Sequence, residues 1–274
     1  MMQIDLGFLQ ALWNSIPADI QVALGRYIAA MVLLVALIVV SKWQKIRIQK
    51  NLIIGTVRGT IQIILMGLIL VYLFNLRDII LMFGVLLFMC TFAAYTTADN
   101  LGKIPGVFKA SLPGIVLGSI SVMAISVLLG VIEPIGEFIV PMGGMVIGNS
   151  MNMSSLVIDR MWSNAQKQRG LLETALALGA SPIQATEITI RESIETGFLP
   201  NLNRYAALGI VTIPGLMSGM IIGGANPVVA SLFQVIVFIM IFLSSIIAGL
   251  VGSRLFLKEI FNERLQITVP PPKV

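Results

Sequence analysis

The chain has 274 residues, of which 57% are hydrophobic and 11% charged, with a net charge of +5 and a mean hydropathy of +0.95. A soluble domain carries roughly 25% charged residues, so a soluble globule is excluded and an all-α integral membrane protein is expected, read as a single transmembrane domain over 1–274. The single cysteine, Cys90, rules out a disulfide within the chain and any cysteine-rich metal site, and the absence of histidine removes the commonest metal ligand and general base.

Residues 1–19 mix Leu, Phe and Trp13 with Asp5 and Asp19, and lack the basic start of a signal peptide. They read as an interfacial segment with Trp13 at headgroup depth, or as a disordered start. A spanning helix needs about 20 apolar residues. About seven transmembrane helices are expected, at 22–41, 52–74, 79–95, 112–132, 138–157, 205–223 and 228–251. With residue 1 outside, the inside segments 42–50, 96–111, 158–204 and the tail from 252 hold fifteen Lys and Arg residues, and the outside segments hold one, Arg77. That bias predicts the N-terminus out and the C-terminus in.

In the second span, Arg58 lies on the inner side with Gln62 one turn further along the same face. An arginine that deep is either functional, with Asp99 or Asp159 as a partner, or a snorkelling anchor. The outer loop 133–141 carries Glu133 and Glu137, which either attract a cation or are simply solvated. In the fifth span, Met142, Met145, Asn149, Asn152 and Met153 fall within about 100° of one face at 3.6 residues per turn, while Met151 points the other way. Thioether and amide donors together could line a path for a metal ion or metal complex. Ordinary packing by Met and interhelical bonding by Asn is the alternative. Gly143, Gly144 and Gly148 allow close approach of another helix, within one subunit or across a dimer. The sixth span is interrupted by Pro214-Gly215.

Between the fifth and sixth spans lies the longest polar, helix-forming stretch, 171–197, which the charge bias places inside. Leu172, Ala175, Leu176 and Gly179 recur at helical spacing, and Gly179 suits a helix stop. Ser181-Pro182-Ile183-Gln184 predicts a fresh start, with Ser181 as N-cap and Gln184 completing a capping box. Glu187 and Arg191 stand one turn apart, and Gly197 is the expected stop. The result is a bent hook, suited to docking on a partner or to lying on the membrane. The tail 259–274 holds prolines at 270–272 and is expected to fray.

Glu173-Thr-Ala-Leu-Ala-Leu-Gly179 resembles the cytoplasmic loop of ABC-transporter permeases, in which Gly follows Glu by six residues. Pro141-Met-Gly-Gly-Met-Val-Ile-Gly-Asn-Ser-Met-Asn-Met153, Leu199-Pro-Asn-Leu-Asn203, and Ile213-Pro-Gly-Leu-Met-Ser-Gly219 continuing through Pro227 to Gln234 resemble the bacterial iron-export permease family. The plant members of that family are the aluminium-sensitivity and aluminium-resistance permeases. The likeness runs from about residue 50 to 252. It implies a homodimer of permeases in the bacterial inner membrane with two copies of a separate ATPase, coupled through Glu173, Ala175, Leu176 and Gly179. The ending Ile188-Thr-Ile-Arg191 departs from the Ile-x-Leu-Pro of many importers.

The chain has no G-x-x-x-x-G-K-[ST] loop, so ATP and Mg²⁺ are expected on the partner, with no cofactor and no catalytic residue here. Export of iron, a related metal or its complex is the expected function, with no nucleic-acid partner. A transporter driven by an ion gradient and a non-transporting scaffold are the rival readings. The first would favour acidic relays inside the spans, which contain none.

Overall fold

The computed structural model describes residues 17–46, 48–74, 78–262, 264 and 266–270. Residues 1–16 of the interfacial segment expected at 1–19, Arg77 and the last two prolines lie outside these, and the segment's end at Ala18 and Asp19 already belongs to the first helix. Among the described residues there are nine helices and two isolated bridges, with no strand. The chain divides into two compact units at Tyr72 and Leu73.

The first unit holds α1 (Ala18–Trp43) and most of α2 (Gln49–Phe74). Lys45 takes a positive φ of 56°, and the N–H of Ile46 closes on the carbonyl of Ser41 at 2.9 Å, which ends α1 without a glycine. Tyr27 and Thr60 share a hydroxyl bond of 2.8 Å between the two helices. Their apolar windows expose their side chains throughout, as lipid-facing helices do.

The second unit holds α3 (Ile79–Asn100), α4 (Val107–Leu128), α5 (Gly136–Lys167), α6 (Arg169–Ala177), α7 (Pro182–Ala206), α8 (Gly215–Ile222) and α9 (Pro227–Ile260). Its heart is the crossing of α4 and α9. A Cβ on Gly118 would stand 2.5 Å from the Ser244 carbonyl oxygen, and one on Gly114 would stand 2.7 Å from that of Ala248. Two glycines one turn apart therefore let the two backbones touch. The G-x-x-x-G expected to pack, Gly144 with Gly148, behaves differently: Gly144 faces the Met89 methyl, and Gly148 faces open space. Around the crossing, Met82, Leu86, Ile115, Met123, Ile139, Met142 and Val237 form one buried cluster, which also takes in Cys90. A second cluster, with Met153, Ile158, Met161, Leu172 and Phe256, fills the end nearer the loop between α6 and α7; this is called the hook end below.

Five helices, α1–α4 and α9, are long and apolar enough to cross a membrane, and the chain is an integral membrane protein. Two of the seven expected spans differ from their sequence reading. The fifth grows into α5, 32 residues or about 48 Å, with Gly, Asn and Ser diluting its apolar face. The sixth is not one helix. Residues 205–223 comprise the end of α7, an irregular turn and the eight-residue α8, which alone reaches only about 12 Å.

Gly197 is not a stop either, since α7 runs on to Ala206. The residue instead serves as a contact point: a Cβ there would meet Val157 at 3.1 Å and the Met153 sulfur at 3.2 Å.

Gly118→Val should lower stability by about 1–3 kcal/mol, because the new atoms press on a backbone carbonyl that cannot turn away. Gly148→Ala should be neutral. Thermal unfolding of the purified protein in detergent or nanodiscs reads both.

Candidate functional site: the hook and its lever

The hook forms where the sequence placed it. Gly179 has φ +91°; its N–H bonds the Leu176 carbonyl at 3.0 Å, and the Ala180 N–H bonds that of Ala175 at 3.1 Å. This is the paired closure that satisfies a helix end. Two residues on, Ser181 opens α7. Its Oγ accepts from the Gln184 N–H at 3.3 Å, and its own N–H donates to Gln184 Oε1 at 2.9 Å, which completes the capping box. Arg191 pairs with Glu195 at 3.1 Å rather than with Glu187. Both side chains are exposed, so this choice adds little to stability.

Leu172 is fully buried, and Ala175 and Leu176 are half-buried. The apolar face read from the sequence therefore holds the hook to its own protein. The opposite face projects Leu171, Leu178, Ile183 and Ile188, all more than 60% exposed, with Glu173 and Gly179 also exposed. Leu171 and Leu178 stand seven residues apart on one side of the hook, and the sequence reading passed over them.

Arg169 ties the hook to the tail. Its Nε donates to Glu173 Oε1 at 2.8 Å, and a terminal N–H donates to the Val269 carbonyl at 3.1 Å. The tail is ordered up to that point. Thr268 Oγ1 reaches the Ile260 carbonyl at 3.0 Å, and Ile267 and Val269 are buried beside Leu172. The tail expected to fray is therefore ordered from Gln266 to Val269, and residues 271–274 lie outside the described residues.

From Ser181, α7 climbs antiparallel along α5. Thr189 Oγ1 donates to Gln168 Oε1 at 3.1 Å, Gly197 meets Val157 and Met153, and Arg204 donates to Asn149 Oδ1 at 3.1 Å. Asn201 Nδ2 also donates to Ser245 Oγ on α9 at 3.2 Å, and Tyr205 packs against Phe238 and Phe242. This is the level of a buried hydroxyl chain. Ser119 Oγ donates to Ser150 Oγ at 3.3 Å, and Ser150 Oγ donates to Ser244 Oγ at 3.1 Å. Ser119 is near the middle of α4 and Ser244 near the middle of α9, so Asn149 and Arg204 lie at mid-depth of the bundle.

The Met/Asn stripe is dispersed by this packing. Met142 and Met153 are fully buried, one in each apolar cluster, Met145 and Asn149 are half-buried, and Asn152 is exposed. Asn149 Nδ2 also donates to the Met145 carbonyl at 2.8 Å. Arg58 and Gln62 are exposed on α2, in the other compact unit from Asp99 and Asp159. At the hook end a cavity of about 860 Å³ is lined by Asp99, Lys103, Asp159, Trp162, Gln166 and Pro270, among others. Among the described residues, no group of three or more acidic or cysteine side chains could hold a metal ion.

Residues 24–261 match the family described as "Uncharacterised protein family (UPF0014)". The chain belongs to the UPF0014 family. Its relatives include the probable iron export permease protein FetB of Escherichia coli K12, 30% identical over 240 residues, covering 88% of this chain and 93% of the relative. The UPF0014 membrane protein STAR2 of Oryza sativa subsp. japonica is 28% identical over 246 residues, covering 90% and 86%. Protein ALUMINUM SENSITIVE 3 of Arabidopsis thaliana is 29% identical over 240 residues, covering 87% and 88%. No solved structure matches the chain.

Arg169→Ala removes both of its bonds at once. Hydrogen exchange should then quicken at residues 266–269 and across α6, with the α4–α9 crossing unchanged.

Proposed function

We propose that this chain is the membrane-spanning permease subunit of an ATP-driven exporter, and that the hook docks on a separate ATPase. The observation that carries this reading is the two-faced hook. One face is anchored by Leu172, and the other offers Leu171, Leu178 and Ile183 to a partner. Exposed leucines beside an ion pair, on a rigid doubly capped bend, have the composition of an interface core with a polar rim.

The hook end faces the cytoplasm, following the positive-inside bias. At the other end of the second unit the described charges are Asp78, Glu133 and Glu137, all acidic. The chain passes the membrane seven times, N-terminus out, with the sixth pass assembled from the second half of α7 and α8. Two copies of the chain and two ATPases form the working complex in a bacterial inner membrane, and the ATPases bind ATP and Mg²⁺. The cargo is iron, a related metal or its complex, as the name of the Escherichia coli relative suggests. A carrier driven by an ion gradient fits less well, because the stretches between the two ends hold no acidic residue.

In this mechanism, closure of the ATPases pushes the hook, α7 carries the push to mid-depth, and the bundle alternates between inward-open and outward-open states. Glu173 and Gly179 set the shape of the docking surface, while Ala175 and Leu176 keep it seated.

Leu178→Asp, alone and combined with Glu173→Arg, should abolish stimulation of ATPase activity in the reconstituted complex by tenfold or more. Membrane insertion should stay unchanged in both, and the melting temperature in Leu178→Asp alone, because the Leu178 side chain is exposed. Full stimulation in the double variant would contradict the docking assignment.

A further inference from the structure

Arg204 stands where arginine is costly. It is exposed at mid-depth, on a helix that is otherwise anchored by small and aromatic contacts. An intramembrane arginine persists when it is paired, faces water, or serves a ligand. Among the described residues it makes one bond, to Asn149 Oδ1, a neutral acceptor, and a guanidinium has five N–H donors to satisfy. The described acidic residues of this unit are far along the helices. Asp78, Glu133 and Glu137 are at one end, and Asp99, Asp159, Glu259 and the hook glutamates are at the other. Among the described residues, no carboxylate of the unit compensates the charge at its own level.

The side chain also does not behave as a snorkelling anchor. A snorkelling arginine extends along its helix to the nearest interface, whereas this one crosses to α5. Asn149 is itself fixed, since its amide nitrogen is bound to the Met145 carbonyl at 2.8 Å, so its oxygen is left pointing at the guanidinium. The pair is oriented in advance and leaves the rest of the planar fork open. That fork matches two oxygens of a carboxylate or phosphate.

We infer that Arg204, oriented by Asn149, is a binding site for an anion at mid-depth, and that the cargo passes it as an anion bearing carboxylate or phosphate oxygens rather than as a bare cation. A metal would therefore travel as a chelate with net negative charge. This rests on the exporter reading above and names the chemical class of its cargo. A bare divalent cation at this level would meet a fixed positive charge and only neutral donors from Asn149, Asn201 and the serines. In a medium of low dielectric that repulsion is poorly screened.

The test uses the purified full chain in nanodiscs, without ATPase, and measures equilibrium binding of ferric citrate, citrate alone and Mn²⁺ in a non-chelating buffer. Ferric citrate and citrate should bind the wild type, and Arg204→Gln should weaken both by tenfold or more. Arg204→Lys should retain part of the affinity, since it keeps the charge but loses the fork, and Asn149→Ala should weaken binding several-fold. Glu173→Arg, at the hook, should leave binding unchanged. Full ATPase stimulation in the hook double variant, with anion binding intact, would therefore count only against the docking assignment. Should Arg204→Gln fail to fold, Arg204→Lys carries the test through its expected several-fold loss. Absence of anion binding, wild-type affinity in the Arg204 variants, or Mn²⁺ binding that improves in Arg204→Gln would overturn the site.

Discussion

Gly197 lets α7 lie directly on α5, and much else depends on that contact. A side chain there would press on Val157 and Met153, two residues of the buried cluster that also holds Leu172 of the hook. Because the helix passes this point without ending, one continuous element of 25 residues joins the Ser181 cap to Arg204. The length corresponds to about 37 Å, enough to reach from beyond a membrane surface to its middle. The hook is thus continuous with a single helix whose far end reaches the polar layer of the bundle.

That polar layer has its own logic. Without a hydrophobic driving force between helices in lipid, association relies on close packing and on hydrogen bonds between helices. Gly114 and Gly118 supply the packing between α4 and α9. Ser119, Ser150 and Ser244 then link α4, α5 and α9 at the same level, and Asn201 brings in α7. Four helices therefore meet through hydroxyl and amide groups at mid-depth, beside the exposed Arg204. Ser154 Oγ and Gln234 Oε1 are buried without a partner among the described residues. Each such group carries an uncompensated desolvation cost in this arrangement.

What was legible in the sequence was mostly local. Gly179 as a left-handed stop, Ser181 with Gln184 as a capping box, and the first four long apolar helices all follow from backbone geometry and hydropathy within a few residues. What was not legible depended on neighbours distant in sequence. Gly197 looked like a terminator because a glycine ending a polar helix and a glycine admitting another helix have the same letter, and only Met153 and Val157 distinguish them. Arg204 was counted as one more inner charge, since nothing near it reveals that α7 continues upward. The G-x-x-x-G at Gly114 and Gly118 escaped notice beside the richer glycine run at 143–148. The tail from Ile267 to Val269 looked too close to the prolines to be ordered, yet it is buried against the hook. The Met/Asn stripe shared one helix face as expected, but the neighbouring helices divide that face into core and surface.

The central claim is that hook and mid-depth move as one body. Double electron–electron resonance between spin labels at the exposed positions Ile183 and Leu202 tests it in the assembled complex. Nineteen helical residues apart, the labelled backbones should be separated by about 29 Å. The account predicts one narrow distance, unchanged between nucleotide-free and nucleotide-trapped states, while the distance between Leu202 labels on the two copies shifts. A distance from 183 to 202 that broadens or changes by several ångströms with nucleotide would mean that α7 bends at Gly197 or Pro200, and that the lever does not exist.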